Sequence, residues 1–168
     1  MAIVTTASAG MKAAGRATIL QLRAPLSTAS ATEQEATALV ATSPVPVIVS
    51  SRCDIALAAG AAGVNLPEND IPVTAARVLM GERMVGRSVH SLESALRAES
   101  EGADYVIFGS VWASASHPAS MPAGIEALAT VAHALRIPVL AIGGVTEQRI
   151  AECRAAGAAG YAAIGLFE

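Results

Sequence analysis

Ala59-Gly60-Ala61-Ala62-Gly63-Val64, Glu101-Gly102-Ala103-Asp104-Tyr105 and Ala156-Gly157-Ala158-Ala159-Gly160-Tyr161 share one grammar. Each closes an Ala-rich segment at a glycine, crosses a tight turn and enters an apolar run. The residue that ends a helix often takes a left-handed conformation, which costs least as glycine. Working outward, β-branched runs lie at Ile3–Thr6, Thr18–Leu22, Pro46–Ser50, Gly63–Leu66, Met84–Val89, Tyr105–Phe108, Pro138–Ile142 and Tyr161–Ile164. Helical spacing falls between them at Ala31–Ala41, Cys53–Ala59, Val73–Leu79, Leu92–Glu101, Gly124–Leu135 and Glu147–Ala156. Such alternation predicts βαβ units and a parallel sheet. Repetition of the same helix–glycine–strand unit predicts a closed barrel in preference to an open sheet.

Helix starts are marked by Thr32 three residues before Glu35, by Ser91 three before Ser94, and by Thr146 ahead of Glu147-Gln148-Arg149. Eight-fold barrels usually need about 250 residues, with about 200 as a common floor, and this chain has 168. The prediction is therefore a single domain over residues 1–168, a compact (β/α)₈ TIM barrel with shortened or missing first and last helices. Ala7–Arg16 leaves little room for a full helix, and Leu166-Phe167-Glu168 follow the last strand closely. Helices that short should leave apolar flanks uncovered, and large exposed apolar patches mark interfaces. A two-fold homodimer formed near the termini is the expected consequence.

Composition narrows the partners. Hydrophobic residues make up 53% of the chain and charged residues 15%, with a net charge of −3. That balance supplies no electrostatic footprint for nucleic acid. Mean hydropathy is +0.51, yet the long uncharged stretches carry prolines and polar residues, so no membrane span is expected. The first acidic residue is Glu33, and Lys12, Arg16 and Arg23 precede it; the two strand-like runs in the same stretch argue for folded barrel over transit peptide. Cys53 and Cys153 lie far apart and form no CxxC, which fits free thiols and a cytoplasmic location.

Barrel chemistry sits at the C-terminal ends of the strands. Ile142-Gly143-Gly144-Val145-Thr146 follows strand seven and Ile164-Gly165 follows strand eight. Glycines leave N–H groups bare for a phosphate, so Gly143, Gly144, Ile164 and Gly165 are the candidate phosphate cradle; tight βα turns are the plainer alternative. The loop Gly109–Ala123 after strand six carries Ser110, Ser114, Ser116 and His117, hydrogen-bonding groups suited to a polar ligand. After strand five, alternation puts Ser88 and His90 on one face. Histidine changes charge near neutral pH, so His90 is a candidate acid–base group or a structural one. Arg23 and Asp70 are charges at the same rim, each open to a salt-bridge reading. Trp112 and His133 read as packing residues.

These residues resemble the thiamine phosphate synthase/TenI family over nearly the whole chain. The carriers are Gln21-Leu22-Arg23, Val47 to Leu57 with its Ser50-Ser51-Arg52-Cys53-Asp54, Gly63-Val64-Asn65-Leu66, Gly86-Arg87-Ser88-Val89-His90-Ser91, Ala103-Asp104-Tyr105 and Ala141-Ile142-Gly143-Gly144. The wording Gly86 to Glu93 is similar to the TenI branch. The resemblance implies a thiazole phosphate ligand, the phosphate cradle already named, Ser88 as an active-site serine, and Asp70 as one of two aspartates that hold Mg²⁺ in the synthases.

Departures from the family pattern decide between its branches. Ser50-Ser51 stand where the synthases have Asn-Asp, Pro25 stands where they have a pyrophosphate-binding lysine, and Ser114-Ala115-Ser116-His117 replace Thr-x-Thr-Lys. A leaving pyrophosphate needs its charge neutralised, so these losses weaken a transferase. The tautomerase branch places its working histidine after the strand-six glycine, and Ser110 stands there. The resulting expectation is a TenI-like thiazole tautomerase that requires no cofactor, acting through His90 or, failing that, His117, with Ser110 also a catalytic candidate. Arg23, Ser88, Ser114 and Ser116 would contact the substrate. The alternatives are a divergent Mg²⁺-dependent synthase using Asp70 and a non-catalytic phosphate-ester-binding module.

Overall fold

The computed structural model describes residues 1–113 and 121–167. Eight parallel strands run in chain order: β1 (Ala2–Val4), β2 (Leu20–Leu22), β3 (Val47–Ser50), β4 (Gly63–Leu66), β5 (Met84–Val89), β6 (Tyr105–Phe108), β7 (Val139–Ile142) and β8 (Gly160–Ala162). The Ala2–Ala163 bridge brings β8 back to β1, with the Ile3 N–H donating to the Ala163 carbonyl at 2.9 Å. The sheet closes, and a (β/α)₈ barrel results.

Helices alternate with the strands: α1 (Ala7–Ala13), α2 (Ala29–Thr42), α3 (Cys53–Ala58), α4 (Val73–Met80), α5 (Leu92–Ser100), α6 (Ile125–Ala134) and α7 (Ile150–Ala155), the last preceded by a 3₁₀ turn at Glu147–Arg149. The first helix is shortened to seven residues and not missing. No helix is described after β8. There Phe167 is buried, stacked on Tyr161 with 6.3 Å between ring centroids and covered by the Arg16 guanidinium at 5.9 Å. Phe167 covers part of the flank near the termini, where Met11 on α1 and Ile164 after β8 are exposed. Val78, Leu79 and Leu96, on α4 and α5, are also among the exposed large apolar side chains.

Start signals divide. Ser91 and Ser94 form the reciprocal cap of α5, each side chain accepting from the other's backbone N–H. The start of α2 lies earlier than its expected place: Thr28 accepts from the Ala31 N–H at 3.2 Å, while Thr32 is buried one turn inside and donates to the Thr28 carbonyl. A threonine–glutamate spacing on this helix therefore belongs to its body. Thr146 precedes the 3₁₀ turn without a side-chain cap bond.

The main core lies between sheet and helices, filled by small side chains such as Ala36, Ala56, Ala76 and Ala95 with Leu39, Val64 and Leu128. Inside the barrel, strand register sets layers of four side chains from alternate strands. The uppermost consists of Ile3, Ser50, Ser88 and Ile142; beneath it lie Gln21, Asn65, Ile107 and Ala162. The next layer down contains Gly86, where an added Cβ would sit 2.1 Å from the Tyr105 ring. Glycine there admits the tyrosine that fills the barrel's lower half. Among the described residues no helix is long and apolar enough to cross a membrane.

Candidate active site

A cavity of about 800 Å³ opens at the C-terminal mouth of the barrel. Its floor is the two upper layers, and its rim includes Arg23, Glu68, His90, Ser110 and the turns Gly143–Thr146 and Ala163–Leu166. The structure therefore brings together Arg23, Ser88, His90, Ser110, Gly143, Gly144, Ile164 and Gly165 around one space. Ser114, Ser116 and His117 lie outside the described residues.

The β7–α7 turn takes its form from two left-handed glycines, Gly143 at φ 92° and Gly144 at φ 64°. The start of the β6–α6 loop presses on both: an added Cβ on Gly143 would meet Ser110 at 2.5 Å, and one on Gly144 would meet the Ala113 carbonyl at 2.6 Å. These glycines serve loop packing as well as access to backbone N–H groups. Among the described residues, the N–H groups of Gly143, Gly144, Ile164 and Gly165 have no acceptor, as an anion-binding turn requires. Arg149 braces the turn by donating to the Gly144 carbonyl at 2.7 Å while stacking 4.9 Å over Trp112, so Trp112 packs, as its sequence context suggests. His133 is tied to the Ala129 carbonyl on α6.

His90 lies just past β5, where Ser91 starts the next helix. Its Nδ1 contacts the Gly109 carbonyl oxygen. A carbonyl only accepts, so Nδ1 carries the hydrogen and, in the neutral ring, Nε2 is the basic nitrogen. The His90 backbone N–H donates to Glu68 Oε1 at 3.2 Å, which makes Glu68 a rim carboxylate that sequence reading overlooked.

Asp70 is not among the residues lining the cavity. The Ser51 hydroxyl donates to its Oδ2, and its Oδ1 accepts from the Ile71 N–H at 2.7 Å. The two positions that resemble the synthases' metal aspartates are therefore adjacent here, with a serine hydroxyl bonded to the surviving carboxylate. Mg²⁺ prefers six oxygen ligands and binds through carboxylates with substrate phosphates and water. One carboxylate whose two oxygens already accept hydrogen bonds, beside a neutral hydroxyl, does not fit that requirement. Among the described residues no group of three or more His, Cys, Asp or Glu is placed to hold a metal.

Three further residues escaped sequence reading. Arg87, between Gly86 and Ser88, faces outward from the barrel and is 9% exposed. It donates to the carbonyls of Ile71 at 2.7 Å and Glu68 at 2.8 Å, clamping the loop that carries Glu68 and Asp70. Burial pushes its guanidinium pKa down. Strand alternation, which puts Ser88 inside, also puts Arg87 outside, so its placement was available as a signal. Gln21 and Asn65, 3% and 2% exposed, support the floor: Gln21 Nε2 donates to Ser50 Oγ at 3.3 Å and Asn65 Nδ2 to Ser88 Oγ at 3.0 Å. Below them Tyr105 is buried; among the described residues its hydroxyl, like Gln21 Oε1 and Asn65 Oδ1, has no hydrogen-bond partner, and burial raises its pKa above the ordinary phenol value.

The family described as thiamine monophosphate synthase (TMP-TENI) matches residues 3–167. The chain belongs to that family. A putative thiamine-phosphate synthase 2 of Aquifex aeolicus is 41% identical over 121 residues, 72% of this chain and 65% of that protein. The thiamine-phosphate synthase of Anaeromyxobacter dehalogenans is 46% identical over 127 residues, 74% of this chain and 57% of its own length. The matched region thus spans less than two thirds of these curated relatives. Among solved structures, thiamine phosphate pyrophosphorylase from Pyrococcus furiosus superposes with a TM-score of 0.88 at 30% identity, covering 98% of this chain and 84% of that one. A 3-hexulose-6-phosphate synthase, at 21% identity and a TM-score of 0.76, shares the barrel fold alone with this family member.

Proposed function

We propose that this member of the thiamine monophosphate synthase family binds a phosphorylated thiazole and moves a proton on its ring, as a thiazole tautomerase. The observation that carries the reading is His90: Nδ1 held by the Gly109 carbonyl leaves Nε2 as a base on a residue of the cavity wall. The phosphate would take the unpaired N–H groups of the Gly143–Gly144 and Ile164–Gly165 turns, and the ring would lie over Ile107, Ile142 and the serine floor. His90 Nε2 accepts a ring proton while the C–H electron pair enters the ring's conjugated system. The same nitrogen returns the proton at another ring position. Product and substrate are isomers, and the step needs no cofactor.

A second reading, a Mg²⁺-dependent thiamine phosphate synthase, is favoured by the names of the relatives at 40–47% identity. Both readings are separated by one pair of assays on the same protein. Incubated in D₂O with thiazole carboxylate phosphate and EDTA, a tautomerase incorporates deuterium into the ring, read by NMR. Mixed with thiazole phosphate, pyrimidine pyrophosphate and Mg²⁺, a synthase forms thiamine phosphate. Deuterium incorporation with EDTA present and no thiamine phosphate in the second assay is the expected result. Robust thiamine phosphate formation without ring exchange would overturn the proposal.

A further inference from the structure

We infer that Arg149 is a positioning residue of the β7–α7 turn: by holding the Gly144 carbonyl away from the cavity, it aims the Val145 N–H into the cavity as a further phosphate donor. This rests on the reading of that turn as a phosphate site, and adds a side chain to a site otherwise made of backbone. A peptide group is planar and trans, so its C=O and N–H point in opposite directions. Whatever holds a carbonyl therefore aims the N–H of the next residue.

Two consecutive peptides of the turn are fixed in this way. The Gly143 carbonyl accepts from the Trp112 N–H at 3.1 Å, which directs the Gly144 N–H. The Gly144 carbonyl accepts from Arg149 Nη1 at 2.7 Å, which directs the Val145 N–H. Gly143, Gly144 and Val145 line the cavity, whereas Trp112 and Arg149 do not. The two carbonyls thus point away from the cavity and the two N–H groups toward it. Among the described residues the Val145 N–H has no acceptor, although Val145 is buried. A bare backbone donor at a buried residue is costly, and a phosphate oxygen would meet it.

The two braces differ in kind. The first is main chain, so no substitution of a side chain removes it. The second depends on a guanidinium restrained 4.9 Å over the Trp112 ring. A planar guanidinium can stack on an aromatic face and still donate from its edge, and its charge strengthens the bond to the carbonyl.

The test follows backbone amide signals by ¹H–¹⁵N NMR while inorganic phosphate is titrated into the parent, Arg149→Ala and Arg149→Lys. In the parent, the Gly144 and Val145 signals should both shift, with one dissociation constant. In Arg149→Ala, phosphate should bind about tenfold more weakly. At saturation the Gly144 shift should persist, because the Trp112 N–H still holds the Gly143 carbonyl, while the Val145 shift shrinks. Arg149→Lys keeps a charge and a donor, guards against a variant that fails to fold, and should recover part of the Val145 shift. Parental affinity in Arg149→Ala, or weaker binding with both saturated shifts at parental size, overturns the inference and leaves the phosphate site standing. Arg149→Lys that regains affinity without the Val145 shift shows charge alone at work and overturns it likewise. A parent in which neither amide responds to phosphate overturns the phosphate site together with the inference.

Discussion

Strands β2 to β5 deliver side-chain amides and hydroxyls to the cavity, Gln21, Ser50, Asn65 and Ser88. Strands β6 to β8 and β1 deliver Ile107, Ile142, Ala162 and Ile3, with turns above them whose backbone N–H groups have no acceptor among the described residues. The first half acts through side chains that are themselves held from below; the second acts through backbone held from the side, by Ser110, Ala113 and Arg149. Gln21 and Asn65 hold the serines through their amide nitrogens, while among the described residues Gln21 Oε1 and Asn65 Oδ1 have no partner. Backbone N–H groups need only the turn geometry, so in the proposed site Gly143 and Gly144 would act with no side chain at all. His90, at the end of β5 and bonded to the Gly109 carbonyl after β6, joins the two halves.

The sharpest test of that junction is His90→Ala. Turnover in the ring-exchange assay should fall by at least about a hundredfold, the scale of a lost general acid–base, with ligand affinity little changed. An affinity loss of similar size would make His90 a binding group and the division between halves less clean. Gly144→Val attacks the backbone half. The residue would carry a branched Cβ into the Ala113 carbonyl at φ 64°, strain of about 1–3 kcal/mol. Affinity for inorganic phosphate should drop about tenfold or more, and titration calorimetry with unchanged affinity would show that the turn does not hold the phosphate.

On the side-chain half, Ser51→Asp restores a second carboxylate beside Asp70. Aspartate tolerates the left-handed φ of 68° that Ser51 adopts. Thermal melts should then become Mg²⁺-dependent in the variant and show no Mg²⁺ dependence in the parent. A parent already stabilised by millimolar Mg²⁺ would restore the synthase reading of that corner. The smallest effect belongs to Tyr105→Phe. Among the described residues the buried phenol has no partner, so its removal at pH 7 should leave Tm unchanged or raise it. Because burial raises the folded-state pKa, the unfolded chain ionises first. The Tyr105 contribution is present below the ordinary tyrosine pKa of about 10 and lost as pH rises above it. Melts between neutrality and pH 11 should fall less steeply for Tyr105→Phe than for the parent.

Much of the fold was legible because it is local. Period-two and helical spacing located all eight strands, and β4, β5 and β6 match their expected bounds residue for residue. The α2 start was misread because Thr28 and Thr32 are one turn apart and both hydrogen-bond at that end; capping chemistry alone does not say which comes first. The candidate site was legible where residues stand at strand ends, as Arg23, Ser88, His90, Gly143 and Gly165 do. Glu68 and Arg87 were not singled out, because their significance lies in contacts with His90 and with the Glu68–Ile71 loop rather than in residue type. The packing of Phe167 was equally hidden, since it meets Arg16 and Tyr161 only after the barrel closes.

By itself the sequence determined the alternation of elements, the glycine turns and the resemblance to the thiamine phosphate synthase family, because propensity, periodicity and capping act over a few residues. Only the tertiary structure decided that Ser51 lies against Asp70, that Gln21 and Asn65 underlie Ser50 and Ser88, and that the His90 ring is held by Gly109. Those contacts join strands and loops separated by 19 to 29 residues. Their partners are set by the stagger of a closed sheet, a quantity that no local stretch of chain carries.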